Sequence, residues 1–256
     1  MQLIDVHCHL ESDLFSGDLD RIIADAKGAG VVKMITSSIT PDQWEMSQSI
    51  AARYEEVEFS LGVHPWYLSL SDIHKIESLA GIRDTGAVAI GEIGLDRKVD
   101  NPGFEDQLTI FERQLRIACE VDIPVIIHCR GAFNELIQCF KRIGTPRSGG
   151  IIHSFSGSAE LAEELMRYRM NFSIGGVLTY SPGKKRAKLL ERIYPGHFLL
   201  ETDSPDIPPV QTGEKPNVPA NIIHNLHAAS DLLGVPAEEI AFHTTENAVK
   251  IFGLNI

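Results

Sequence analysis

No apolar run in the sequence approaches the ~18 residues of a membrane span, which excludes a helical membrane protein. The start, Met1-Gln2-Leu3-Ile4-Asp5, lacks a basic n-region, so no signal peptide is expected. Cysteine is sparse. Cys8, Cys119, Cys129 and Cys139 show no zinc-finger or redox spacing, and they read as reduced thiols of a cytoplasmic protein. No low-complexity tract or linker interrupts the chain, so a single domain over residues 1–256 is expected. Basic residues are outnumbered, 23 against 35 acidic, for a net charge of −12. That argues against a broad electrostatic grip on nucleic acid. It does not exclude a nucleic-acid enzyme, because a bound metal pair would add about four positive charges where phosphate must sit.

What is present is ordinary globular composition, 43% apolar and 23% charged. The 256 residues are close to the ~250 typical of an eight-stranded α/β barrel. Short β-rich segments alternate with helix-period segments. Strands are predicted at Leu3–His7, Val31–Thr36, Val57–Val63, Ala87–Gly91, Ile123–His128, Gly150–His153, Met170–Ile174 and Phe198–Glu201. Helices are predicted from Leu19, from a Thr40–Gln43 capping box, from Phe104, and at Phe133–Ile143, Ala159–Tyr168, Lys184–Tyr194, Asn221–Leu233 and Pro236–Phe252. A doubly wound open sheet is the alternative, but its Gly-x-Gly-x-x-Gly turn is absent after strand one. The expected fold is therefore α/β, a TIM (β/α)8 barrel.

The chemically capable residues gather at strand ends. Asp5-Val6-His7-Cys8-His9 closes strand one, His64 strand three, Glu92 strand four, His128 strand five, His153 strand six and Asp203 strand eight. In a barrel these ends share one face, the face that carries active sites. Period-two geometry puts His7 and His9 on one side with Asp5, which is placed to fix an imidazole tautomer. Glycines flank Glu92, so a tight turn around it is expected, and a carboxylate bridging two metals would satisfy both its oxygens. Asp203, just before Pro205, reads as a metal ligand and general base. Arg130 is a candidate for a substrate phosphate. Lys184–Lys188 reads as a solvated helix start, with a phosphate role as the alternative. His74, His197, His224, His227 and His243 read as surface or helix-packing residues. Cys8 and Cys129 read as buried thiols, not ligands.

The chain closely resembles the TatD family of metal-dependent hydrolases, within the amidohydrolase-like barrels. The likeness runs through Asp5-x-His7-x-His9, Gly62-Val63-His64-Pro65, Gly91-Glu92-Ile93-Gly94-Leu95-Asp96, Pro124-Val125-Ile126-Ile127-His128-Cys129-Arg130, His153-Ser154-Phe155-Ser156-Gly157, Ser173-Ile174-Gly175-Gly176, Leu199-Leu200-Glu201-Thr202-Asp203-Ser204-Pro205 and Asn247-Ala248-x-x-Ile251-Phe252-Gly253. The resemblance implies a TIM barrel with a dinuclear site. His7, His9, Glu92 and Asp203 would hold one ion, and Glu92, His128 and His153 the other. His64 would lie on the substrate side. The family includes deoxyribonucleases, often with 3′-to-5′ exonuclease action, and relatives linked to D-aminoacyl-tRNA deacylation. One segment departs. Where the family often reads Arg-Asn-Glu-Pro after strand eight, this chain has Lys215-Pro216-Asn217-Val218-Pro219. Lys215 and Asn217 are retained as candidate substrate contacts. Arg97 also replaces the aromatic common after Gly-Leu-Asp.

The expected activity is hydrolysis of a phosphodiester at a DNA end or in short single-stranded nucleic acid. Two divalent ions would share Glu92 and acidify a water whose proton passes to Asp203. Oxygen ligation suits Mg2+ or Mn2+, whereas four imidazoles suit Zn2+, iron or nickel. An ester or amide hydrolase, including a D-aminoacyl-tRNA deacylase, is the alternative, and a non-catalytic interaction barrel the second. A monomer without membrane contact is favoured.

Overall fold

The computed structural model describes residues 1–180, 183–213 and 216–256. Eight strands form one parallel sheet in chain order: β1 (Leu3–Cys8), β2 (Val31–Ser37), β3 (Val57–Leu61), β4 (Ala89–Asp96), β5 (Val125–Arg130), β6 (Gly150–Ile152), β7 (Met170–Ile174) and β8 (Phe198–Leu200). The helices are α1 (Leu19–Gly28), α2 (Trp44–Arg53), α3 (Ile73–Glu77), α4 (Phe104–Val121), α5 (Phe133–Ile143), α6 (Ala159–Met166), α7 (Lys184–Ile193), α8 (Ile222–Leu233) and α9 (Ala237–Phe252). This is the (β/α)8 barrel expected. The seam between β8 and β1 is closed just past the strands. There Asp203 N–H donates to His7 O at 2.9 Å and His9 N–H donates to Ser204 O at 2.8 Å.

One apolar cluster joins Ile4, Val6, Ile35, Ala89, Ile126, Ile151 and Leu199 with Ala248, Phe252 and Leu254. Its strand members come from six strands that are not all neighbours, so they meet across the barrel interior. The end of α9 floors it. Asn247 fixes that helix by donating to Pro195 O at 2.7 Å and Phe198 O at 2.9 Å. The strand period of two then carries the interior from apolar floor to polar mouth: Ile126 is followed by His128, Ile151 by His153 and Leu199 by Glu201.

Two local expectations change. Strand four does not stop at Gly91. After a register shift between Ile90 and Ile93 it pairs with β5 as far as Asp96. The glycines beside Glu92 serve close packing and not a turn: a Cβ on Gly91 would meet Ile126 Cβ at 2.6 Å, and one on Gly94 would overlap the His128 carbonyl. At α2 the capping box is half formed. Gln43 Oε1 accepts the Ile39 N–H at 2.9 Å, whereas Thr40 makes no side-chain cap, because a short 3-10 turn at Pro41–Gln43 precedes the helix.

Candidate metal centre

The structure brings His7, His9, His64, Glu92, His128, His153 and Asp203 to one place at the mouth. Glu92 sits in the middle, 2% exposed. Its two oxygens face different partners. Oε2 lies 3.4 Å from His7 Nε2 and 3.6 Å from His9 Nε2. Oε1 lies 2.8 Å from His153 Nε2 and 3.3 Å from His128 Nδ1. Asp203 Oδ1 approaches His7 Nε2 and His9 Nε2 at 3.5 Å each. Asp203 has a left-handed backbone, φ 56°, uncommon for a residue other than glycine, and lines the mouth. His7 with His153 and Asp203, and His7 with His9 and Glu92, each present ligand atoms within 4.8 Å of one another.

The donor set fits divalent cations. Among the described residues, both ring nitrogens of His7 and Nδ1 of His153 are buried without a hydrogen-bond partner. His128 Nδ1 stands 3.2 Å from His153 Nε2, a spacing that needs a proton or a cation between them. Without metal, protons fill that role. Burial pushes His7 down, but the negative charges of Glu92 and Asp203 beside the ring overcome it and raise its pKa to about 10. His128 follows the same logic through Asp96 and Glu92, to about 9. Burial and the charge on His7 lower His153 to about 4. Burial raises Glu92 and Asp203, yet the surrounding imidazoles outweigh it and hold both well below the usual carboxylate range.

Outer groups orient these rings. His9 Nδ1 lies 2.8 Å from Ser37 O, which leaves Nε2 for the centre. His128 Nε2 lies 3.0 Å from Asp96 Oδ2, which leaves Nδ1. Asp96 also accepts the Trp66 indole N–H at 2.7 Å and the Lys98 N–H at 2.7 Å. Glu201 accepts from Ser154 N–H at 2.8 Å and from the Ser173 hydroxyl, and it stands 4.0 Å from His153 Nδ1. Burial raises Glu201 to about 8. Sequence reasoning alone does not reach the roles of Asp96 and Glu201 beside these rings. The signal existed for Asp96, four residues beyond Glu92 on the same strand, but a strand ended at Gly91 conceals it.

His64 is distinct from the other imidazoles. Its Nδ1 accepts the Trp66 N–H at 3.1 Å, so the proton rides on Nε2, 3.2 Å from Glu92 Oε1. Burial lowers its pKa, so the ring stays neutral. His64, Glu92 and His128 are close enough to share an ion. With Nδ1 engaged by Trp66, that tautomer presents an N–H donor to the centre.

Asp5 hydrogen-bonds to no imidazole. Its carboxylate accepts instead from the Thr202 N–H and hydroxyl, and from the His7 backbone N–H at 3.4 Å. Asn217 does not line the cleft. It is 0% exposed, and its amide donates to Thr202 O at 2.7 Å and Asp206 O at 2.9 Å, pinning the loop after β8. Lys215 lies outside the described residues. Arg130 is exposed at the end of β5 and lines the mouth, a cleft of about 950 Å³. Lys184–Lys188 does not line it, and Lys188 pairs with Glu160. Cys8 and Cys129 are buried, and burial raises both thiols.

A parallel barrel with four converging imidazoles and two ionised carboxylates at its mouth defines the class of metal-dependent barrel hydrolases. Within that class the chain belongs to the TatD related DNase family, whose model matches residues 4–253. The chain is 33% identical to the metal-dependent hydrolase YjjV of Escherichia coli K12, over 99% of this chain and 98% of that one. The crystal structure of YjjV, a TatD homolog, superposes with a TM-score of 0.92 at 32% identity, covering 99% and 98% of the two chains. The 3′-5′ ssDNA/RNA exonuclease TatD of Klebsiella pneumoniae is 30% identical over 99% of each chain. Among the described residues no helix is long and apolar enough to cross a membrane.

Proposed function

We propose that this chain, as one catalytic unit, is a dinuclear phosphodiesterase that trims single-stranded DNA from its 3′ end in the cytoplasm. The observation that carries the reading is the division of Glu92: one oxygen serves His7 and His9, the other His128 and His153. His7, His9, Glu92 and Asp203 would hold one ion, and Glu92, His128 and His153 the second. Mg2+, Mn2+ and Zn2+ all suit this mixture of oxygen and nitrogen. When bound, the two ions supply Lewis acidity and charge stabilisation to an in-line displacement at phosphorus.

The chain's own residues do the rest. Asp203, held ionised beside His7 and His9, accepts the proton of the attacking water. Asp203 lines the mouth. Neutral His64 offers its Nε2–H toward the reacting group. Arg130, at the rim, is placed to take a non-bridging phosphate oxygen. The apolar floor below the ligands excludes water from beneath. The identity to the Klebsiella exonuclease supports the substrate and the polarity.

The test is a metal titration followed by digestion of single strands labelled at either end. Two ions per chain with loss from the 3′ end is the expected result. One ion, or no cleavage with any divalent metal, refutes it. A specific observation favours a second reading, hydrolysis of a carboxylic ester such as a D-aminoacyl-tRNA ester. Among the described residues lining the cleft, Arg130 is the one Lys or Arg against Glu11, Asp13, Glu92, Asp203 and Asp206. Turnover of an aminoacyl ester without turnover of DNA would favour that reading.

A further inference from the structure

We propose that Trp66 and Tyr67 form a base-stacking subsite beside the metal centre, which receives the terminal nucleobase of a single-stranded nucleic acid. The proposal rests on the nuclease reading above. Trp66 and Tyr67 follow the His64-Pro65 turn beyond β3 and are 40% and 49% exposed. They line the metal cleft and also a second cavity of about 460 Å³, shared with Leu68, Leu70, Asn101 and Asp106. The aromatic pair is thus a wall between the reacting centre and a separate space.

The wall is fixed. The Trp66 indole N–H donates to Asp96 Oδ2 at 2.7 Å, and the ring meets His64 edge-on, with centroids 5.2 Å apart and planes at 88°. Tyr67 stands 6.3 Å from Trp66, tilted by 60°. An indole tied by its nitrogen keeps its face in place before a ligand arrives, so little ordering is needed on binding. The charge balance calls for such a surface. With acids outnumbering Arg130 around the cleft, few phosphates are neutralised, and affinity for a strand must come from its bases. Stacking on an aromatic face is tolerant of sequence and strengthens binding roughly tenfold or more per base. Asn101 and Asp106 give the second cavity donors and acceptors suited to a base edge. A lipid or greasy peptide would not use that polar rim.

The chain holds two tryptophans, so Trp44→Phe leaves Trp66 as the reporter. Metal-loaded Trp44→Phe would be titrated with a short phosphorothioate oligothymidylate and with an abasic oligomer of the same length. The expected result is fluorescence quenching by the thymidylate and about tenfold weaker binding of the abasic strand. Tyr67→Ala, checked for folding by circular dichroism, should narrow that preference. If Trp44→Phe is unstable, wild type against Tyr67→Ala in the same titration carries the test. Equal affinity for both strands, binding without quenching, or no binding of either strand overturns the subsite. Quenching without cleavage of the ordinary oligomer by any divalent metal keeps the subsite and refutes the nuclease reading. Cleavage with equal affinities does the reverse.

Discussion

Thr202 donates twice to Asp5, from its backbone N–H at 2.9 Å and from its hydroxyl at 2.5 Å. The first strand and the segment after the last are thereby locked together, two residues before His7 and one before Asp203. The lock and the metal centre share the same short segments, which ties closure of the barrel to the placing of three candidate ligands. Burial raises the Asp5 pKa to about 7 against those hydrogen bonds.

Asp5→Ala should therefore destabilise the fold as well as the site. Thr202 would keep a buried N–H and hydroxyl without their acceptor, a loss of about 1–3 kcal/mol for each unsatisfied group. The expected outcome is a lowered melting temperature in the metal-free protein together with weaker metal binding. An unchanged melting temperature would remove Asp5 from the seam.

Much of this was legible in the residues. The alternation of apolar strands and helices marked all eight strands, and the imidazoles and carboxylates at their ends converge as expected. What was not legible depended on register and on long-range partners. Asp5 reads as a partner for an imidazole, yet its donors come from Thr202, 197 positions away in the sequence. Asn217 looks available in a loop, yet it is the residue that holds the loop. Trp66 reaches Asp96 across 30 positions of sequence, a pairing no local pattern records.

Asp96 positions His128, so Asp96→Asn tests that role. The variant keeps the Trp66 acceptor but weakens the charge that orients the ring. Metal affinity should fall about 10- to 100-fold at one of the two proposed sites, with the other little changed. Calorimetric titration resolving two classes of site would show this. Equal weakening of both ions would mean that Asp96 acts through the whole fold.

Glu92→Gln should weaken both sites together, because one side chain faces both sets of histidines. The apolar floor lies elsewhere, so the thermal transition of the variant should remain cooperative. Metal content measured after gel filtration distinguishes loss of both ions from loss of one.

Asp203→Asn tests the proposed division between proton acceptance and coordination. The amide oxygen remains a potential ligand but takes up no proton at neutral pH. Metal occupancy should be largely retained while turnover drops by at least ~10². Retained turnover at full occupancy would move proton acceptance to a group other than Asp203.

Metal binding should release protons, and the direction follows from the histidines. In the metal-free protein His7 and His128 titrate at about 10 and about 9, above the ordinary 6.5, so both carry protons at neutral pH. Ligation requires the unprotonated nitrogen, so each ion has a proton to displace. Apparent affinity should climb by about tenfold per pH unit for each displaced proton, and flatten above pH 9 to 10. Stability runs the other way. Imidazoles with raised pKa values favour the folded metal-free chain fully below pH 6.5, and that contribution is lost as pH rises through 9 and 10. Melting temperatures in chelator should therefore fall from pH 7 to pH 10, and saturating metal should remove most of that fall. Titration calorimetry in buffers of different ionisation enthalpy would count the protons. A count of zero at pH 7 would mean that neither His7 nor His128 carries the proton this geometry assigns to it.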